Sequence, residues 1–133
     1  MQKILVDTNI LLRIILRDDK AGFKEAEAFL LSQANSICRV TPLVVSEVLY
    51  VLHVLGYNRE NCADSLLALI QHKQFYLDEY ILRSIQMFKL HKLDFVDCYL
   101  VLVAVGEGQG LKTLDRKAKK LYEKLKLDQR EQA

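Results

Sequence analysis

The chain has 133 residues, of which 51% are hydrophobic and 27% are charged, and its net charge is +2. This composition excludes a disordered chain, and no apolar run approaches the roughly 18 residues of a membrane span. The length fits one domain, which we expect over residues 1–125, with a polar C-terminal tail at 126–133. Asp7 interrupts any signal-peptide apolar region, so we expect a cytoplasmic protein without a membrane partner.

Predicted strands and helices alternate along the chain. Strands are predicted at about 3–6, 36–40, 74–77 and 111–114, and helices at about 10–16, 20–33, 42–55, 59–70, 79–91, 94–105 and 116–125. Thr41 and Pro42 supply an N-cap and a proline at the first helical position, and Gly56 marks the end of that helix. The alternation predicts an α/β fold, a three-layer α/β/α sandwich with a central parallel sheet.

Aspartates stand at two of the predicted strand ends. Asp7 follows the first strand and Asp115 follows the strand at 111–114. Functional groups collect at the carboxyl ends of strands in open α/β sheets, so both carboxylates are candidates for one site. Each also precedes a predicted helix, where capping is the more common role. Position alone leaves both roles open.

Glu47 is the least expected acid in the sequence. It lies in mid-helix, where no cap role exists, and Leu43 and Val51 are its neighbours on the same helix face. An unpaired buried carboxylate costs several kcal/mol, so Glu47 is at an exposed edge, in a salt bridge or bound to a metal. A local salt bridge is not available, because the sequence has no Lys or Arg between residues 40 and 58.

Asp97 enters a helix whose remaining residues are almost all apolar, which is typical of the protein core. A carboxylate beside a core needs a partner. Asp94, three residues earlier, forms a variant of the capping box with Asp97, and we interpret Asp94 as a cap.

Carboxylates that lie close together repel one another unless a cation compensates their charge. Oxygen ligands suit Mg²⁺ or Mn²⁺, whereas the histidines and cysteines of this chain show no zinc-type spacing. Such a site can supply an activated water for attack on a phosphodiester, so no nucleophilic side chain is needed. The absence of Ser-His and Cys-His signatures in this chain is consistent with such a site.

Four short motifs follow one another in the order Val6-Asp7-Thr8-Asn9, Ser46-Glu47, Leu93-Asp94-Phe95-Val96-Asp97-Cys98 and Thr113-Leu114-Asp115. Their types, order and spacing resemble the PIN domain from about residue 3 to residue 125. The compact length resembles the VapC-like ribonuclease toxins of type II toxin–antitoxin systems. Two departures are Cys98, where a small residue such as Ala is usual, and a tail too polar for the last strand common in VapC-like proteins.

The resemblance implies a metal-dependent endoribonuclease, with RNA as the substrate, a homodimer and an antitoxin partner. Its catalytic metal ligands would be Asp7, Glu47, Asp97 and Asp115, with Asp94 as an auxiliary ligand. Thr8, Asn9 and Thr113 resemble residues that orient the site or contact phosphate.

Basic residues crowd the last predicted helix. Arg116, Lys119 and Lys120 follow Asp115 closely, and they are either a solvated face or a surface that steers RNA backbone toward the acids. A weakly positive net charge is compatible with either reading.

Three other functions compete with a nuclease. A PIN-fold module could bind RNA or protein without cutting it, although retention of all four acids argues against this. A phosphoryl-transfer enzyme of the haloacid-dehalogenase kind would need an Asp at position 9, where this chain has Asn9. A dinucleotide-binding domain is excluded, because no G-x-G-x-x-G follows the first strand.

Overall fold

The computed structural model describes residues 2–32 and 36–132. The chain divides into two compact units, which we call the N-terminal unit (Met1–Asp78) and the C-terminal unit (Glu79–Ala133). The predicted end of the second helix at Gln33 lies outside the described residues.

The N-terminal unit contains a three-stranded parallel sheet in the order β1-β2-β3. Its strands are β1 (Gln2–Leu5), β2 (Ser36–Arg39) and β3 (Phe75–Tyr76), and its helices are α1 (Thr8–Leu16), α2 (Lys20–Ser32), α3 (Pro42–Val54) and α4 (Arg59–Ile70). Two helices connect each pair of neighbouring strands, as parallel pairing requires a crossover. The prediction of an α/β fold with a parallel sheet is confirmed.

The ends of α3 follow from local sequence. The Thr41 hydroxyl accepts the backbone N–H of Val44 at 3.3 Å, and Pro42 occupies the first turn. Gly56 has a φ of +99°, a conformation that residues with a Cβ seldom adopt, and it directly follows the C-cap. Both predicted boundary signals of this helix are confirmed.

The core of the N-terminal unit is apolar and closely packed. Helix α1 packs against α2, α3 and α4. The largest fully buried side chains of the N-terminal unit include Leu11, Leu52, Leu66 and Ile70. Cys38 and Cys62 are also buried, and burial raises the pKa of both thiols, so they remain protonated and act as small hydrophobic residues.

The C-terminal unit is helical, with α5 (Ile81–Leu90), α6 (Phe95–Gly106) and α7 (Arg116–Gln132). Helix α6 packs against both α5 and α7. The core of the C-terminal unit includes Ile81, Ile85, Val101, Leu102 and Leu121. Among the described residues, no helix is both long and apolar enough to cross a membrane.

Gly106 ends α6 beside the ring of Tyr80. A Cβ built at Gly106 would lie 2.6 Å from Tyr80 Cε1 and 2.7 Å from its hydroxyl oxygen. Real Cβ atoms essentially never lie this close to another heavy atom. Glycine at position 106 therefore lets the end of α6 approach the Tyr80 ring closely. The ring of Tyr80 also meets Tyr99 edge to face, with centroids 6.4 Å apart.

One prediction about the C-terminal unit is wrong. Residues 111–114 form no strand in the described chain, because this short segment has little to bury: Lys112 is exposed, and Leu114 is 92% exposed. Asp115 therefore follows a loop rather than a strand. Residues 126–132 of the predicted polar tail have exposed side chains and are helical, because α7 continues to Gln132. The domain boundary at residue 125 stays a prediction.

Candidate functional site

Asp7 links β1 to α1 at the carboxyl end of the sheet. The Val6 N–H donates to the carbonyl oxygen of Arg39 at 3.1 Å, so pairing with β2 continues up to the residue before Asp7. Asp7 Oδ1 then accepts the N–H of Ile10 at 3.2 Å and caps α1. The cap uses one carboxylate oxygen, and the lone pairs of Oδ2 remain for a further partner.

Glu47 is exposed at the surface of α3. Metal binding by this carboxylate stays a prediction. Its helix turns Val45, Val48 and Leu49 into the core and Glu47 outward. The hydroxyl of Thr8, which is only 7% exposed, donates to Glu47 Oε2 at 3.0 Å. Because Thr8 directly follows Asp7, this bond fixes Glu47 beside the start of α1.

The Thr8 bond gives a direct test of how Glu47 is positioned. Replacing Thr8 by Val keeps the shape but removes the donor, and we expect it to cost about 0.5–1.5 kcal/mol of unfolding free energy in thermal or urea denaturation. Thr8→Ser keeps the hydroxyl and serves as the control. If nuclease activity is lost in Thr8→Val and restored in Thr8→Ser, Thr8 positions Glu47; equal activity in all three proteins would contradict that role.

Three aspartates interact in the C-terminal unit. Burial raises the pKa of the half-buried Asp97, and the negative charges of Asp115 and Asp94 raise it further. Asp94 and Asp97 lie at the start of α6, and Asp115 lies at the start of α7. The charges at the starts of α6 and α7, two helices that pack together, therefore both act on Asp97.

Asp115 and its loop are held by backbone contacts. Its Oδ1 accepts the N–H of Ala118 at 2.9 Å and caps α7, while its own N–H donates to the Thr113 hydroxyl at 3.1 Å. Thr113 thus fixes the backbone of the acid that it precedes. The second carboxylate oxygen of Asp115 lies outside this cap.

Asp94 occupies the N-cap position of α6, as predicted, but not with the side-chain hydrogen bond of a capping box. Its backbone has the extended conformation of an N-cap, but within the described chain its carboxylate makes no capping hydrogen bond. The charge of Asp94 acts instead on Asp97. The sequence pattern could not reveal this, because a capping aspartate and a free one have the same spacing to the helix.

The acids suit a hard divalent cation by their chemistry. All of them offer carboxylate oxygens. The pKa of Asp97 is raised first by burial and then by the charges of Asp115 and Asp94, and a cation would relieve the repulsion among these three acids. Across residues 2–32 and 36–132, no three His, Cys, Asp or Glu side chains are already arranged to hold a metal ion. The structure groups Asp94, Asp97 and Asp115 in one unit, and Thr8 with Glu47 in the other.

The remaining predicted site residues lie on the surface. Asn9 is exposed in the first turn of α1. Arg116, Lys119 and Lys120 are exposed on the first two turns of α7, next to Asp115. Their contact with RNA remains a prediction.

A comparison with protein-family models identifies one family over most of the chain. The model of the PIN domain matches residues 4–124, which includes every acid discussed above. No curated protein and no solved structure matches the chain. PIN domains are generally nuclease modules that use divalent metals and act on nucleic acids. With most of its length covered by that one match, the chain belongs to the PIN domain family.

Proposed function

We propose that this protein is an endoribonuclease that hydrolyses RNA phosphodiester bonds with Mg²⁺ or Mn²⁺. The observation that supports it most is the grouping of Asp94, Asp97 and Asp115 at the starts of two packed helices. Like charges are costly to gather, so a structure that gathers them has a use for the resulting cation affinity.

The proposed ligands are Asp7, Glu47, Asp97 and Asp115, with Asp94 as an auxiliary ligand. When bound, the ion would activate water and stabilise the leaving oxygen. The chain itself positions these acids: Thr8 holds Glu47, Thr113 holds the backbone of Asp115, and Asp7 is fixed as the cap of α1.

Substrate binding is assigned to polar and basic residues beside the acids. Asn9 would orient a phosphate at the start of α1, where the backbone N–H groups and the helix dipole favour anions. Arg116, Lys119 and Lys120 would draw the RNA backbone toward Asp115. We further propose that the protein is the VapC-like toxin of a toxin–antitoxin pair, is cytoplasmic and forms a homodimer.

Metal removal tests this function. Purified protein is incubated with a labelled single-stranded RNA in Mg²⁺ or Mn²⁺, with a parallel sample in excess EDTA. We expect endonucleolytic fragments with the metal, none with EDTA, and recovery of cleavage when Mg²⁺ is restored. Cleavage that persists in EDTA in a nuclease-free preparation would contradict the metal-dependent mechanism.

The same experiment distinguishes the nuclease from the alternative, a non-catalytic PIN-fold module that binds RNA or protein. Such a module would retain RNA or partner binding and yield no fragments with any divalent metal. The negative charge around Asp97 favours the nuclease, because three unneutralised acids (Asp94, Asp97 and Asp115) would repel an RNA strand.

A further inference from the structure

A cavity of about 260 Å³ opens in the C-terminal unit between α7 and the loop that connects α5 to α6. Its rim consists of four lysines and one histidine: Lys92, Lys117, Lys120, Lys124 and His91. The two other lining residues, Leu93 and Leu121, are 5% and 6% exposed and form an apolar floor. We call this feature the lysine cavity.

Helical spacing explains why three lysines share one wall of the lysine cavity. Lys117, Lys120 and Lys124 are three and four residues apart, so their side chains stand on one face of α7. They form a cationic row about 10 Å long, from the 1.5 Å rise per residue of an α-helix. Arg116 and Lys119, although close in sequence, are not among the lining residues.

The cations of the lysine cavity carry charge that the protein does not neutralise. In the described part of the chain, none of the four lysines forms an ion pair. Residues 116–126 contain six basic residues and a single acid, Glu123. A concave site with several unpaired ammonium groups attracts an anion with multiple charges. Each negative charge of the bound anion lowers the repulsion between the lysine ammonium groups of the rim.

The position of the lysine cavity relates it to the acids. Leu93 in its floor directly precedes Asp94, and Lys117 on its rim lies two residues after Asp115. A strand whose phosphates occupy this cavity would therefore also reach the starts of α6 and α7. Among the described residues, these lysines form no ion pair with the neighbouring aspartates.

We propose that the lysine cavity binds backbone phosphates of a single-stranded nucleic acid and so holds the strand beside the acids. Its role beside a cleavage site rests on the proposed function, whereas phosphate binding by the cavity does not. The apolar floor contacts the sugar or base edge between the phosphates. With lysines as point charges, the binding is independent of base sequence.

The test compares two charge-matched double variants in excess EDTA, where no hydrolysis occurs. Lys117→Gln/Lys124→Gln removes two rim cations, and Lys112→Gln/Lys126→Gln removes two exposed cations of the same unit that lie outside the cavity. Binding of a fluorescein-labelled 12-residue oligothymidylate is measured by anisotropy across a salt series. Circular dichroism melting establishes that both variants are folded.

Two phosphate contacts on a single strand contribute a slope of about 1.4 to the plot of log Kd against log salt. We therefore expect the rim variant to raise Kd about 25-fold at 0.1 M salt and to lower the slope by about 1.4. The control variant should change both quantities much less. Equal losses in the two variants would overturn the proposal, because they would reflect net charge alone.

Free phosphate is the other source of the same chemistry. Inorganic phosphate and a nucleoside 5′-monophosphate are titrated as competitors, and we expect displacement only far above the Kd of the oligonucleotide. Competition by inorganic phosphate at a concentration near that Kd would overturn the assignment to a nucleic-acid strand. If the rim variant loses oligonucleotide binding but the unaltered protein cleaves no RNA, only the proposed function is contradicted. If the protein cleaves RNA and the rim variant binds the oligonucleotide normally, only this inference is contradicted.

Discussion

Asp97→Asn should lower RNA cleavage on the order of 10²–10³-fold, the size of effect expected when one preorganised charge-stabilising group is removed. Asp97 is the half-buried acid on which Asp94 and Asp115 act, so its loss removes the centre of the cluster. RNA affinity should stay the same or rise, because a negative charge is removed. The measurement is single-turnover cleavage alongside binding in EDTA.

The same variant should make the metal-free protein more stable. The raised pKa of folded Asp97 means that, as pH rises through the window from the unfolded to the folded pKa, the native state loses stability. At neutral pH the ionised carboxylate is therefore destabilising, and Asn removes that cost. The gain in melting temperature should vanish below the pKa of an unfolded Asp, about 3.9.

Asp128→Asn is the matched control, since Asp128 is an exposed acid on α7 away from the cluster. It should change neither cleavage nor melting temperature appreciably. A variant Asp97→Asn that loses stability as well as activity would indicate a structural acid. Full activity in Asp97→Asn would remove Asp97 from the catalytic set.

Leu102→Ala should destabilise the protein by about 2–5 kcal/mol, the usual cost of emptying a buried leucine site. Leu102 is 2% exposed in the middle of α6, the helix that carries Asp94 and Asp97 at its start. The loss corresponds to a fall in melting temperature of roughly 8–20 °C for a domain of this size. Calorimetry or circular dichroism melting measures it.

Leu100 on the same helix provides the control, because it is 47% exposed. Leu100→Ala should change the unfolding free energy by no more than about 0.5 kcal/mol. Equal losses for the two substitutions would mean that the exposed face of α6 is covered, as it would be at a subunit interface.

Sequence alone predicted most elements whose signals are local. The caps of α1 and α3 and the three parallel strands depend on residues adjacent in the chain, such as Asp7 and the pair Thr41 and Pro42. The acids were identified in the same way, since a polar side chain in an apolar stretch is visible without coordinates.

Tertiary relations were beyond the sequence. The Thr8–Glu47 bond joins residues on different helices, and no periodicity reveals which helix faces which. Residues 111–114 have strand-forming types but bury too little to pair, so their state depends on neighbours rather than on propensity. The lysine cavity was likewise missed, because His91 and Lys92 come from a loop distant in sequence from α7.

Gly106 and Tyr80 form a pair whose evolution should be linked. The ring occupies the space that any side chain at position 106 would need, while Gly106 itself has no unusual backbone requirement. Relatives that carry Ala or Ser at this position should therefore carry a smaller residue in place of Tyr80, and those that keep the tyrosine should keep the glycine. An alignment of the family would thus show covariation between the start of α5 and the end of α6.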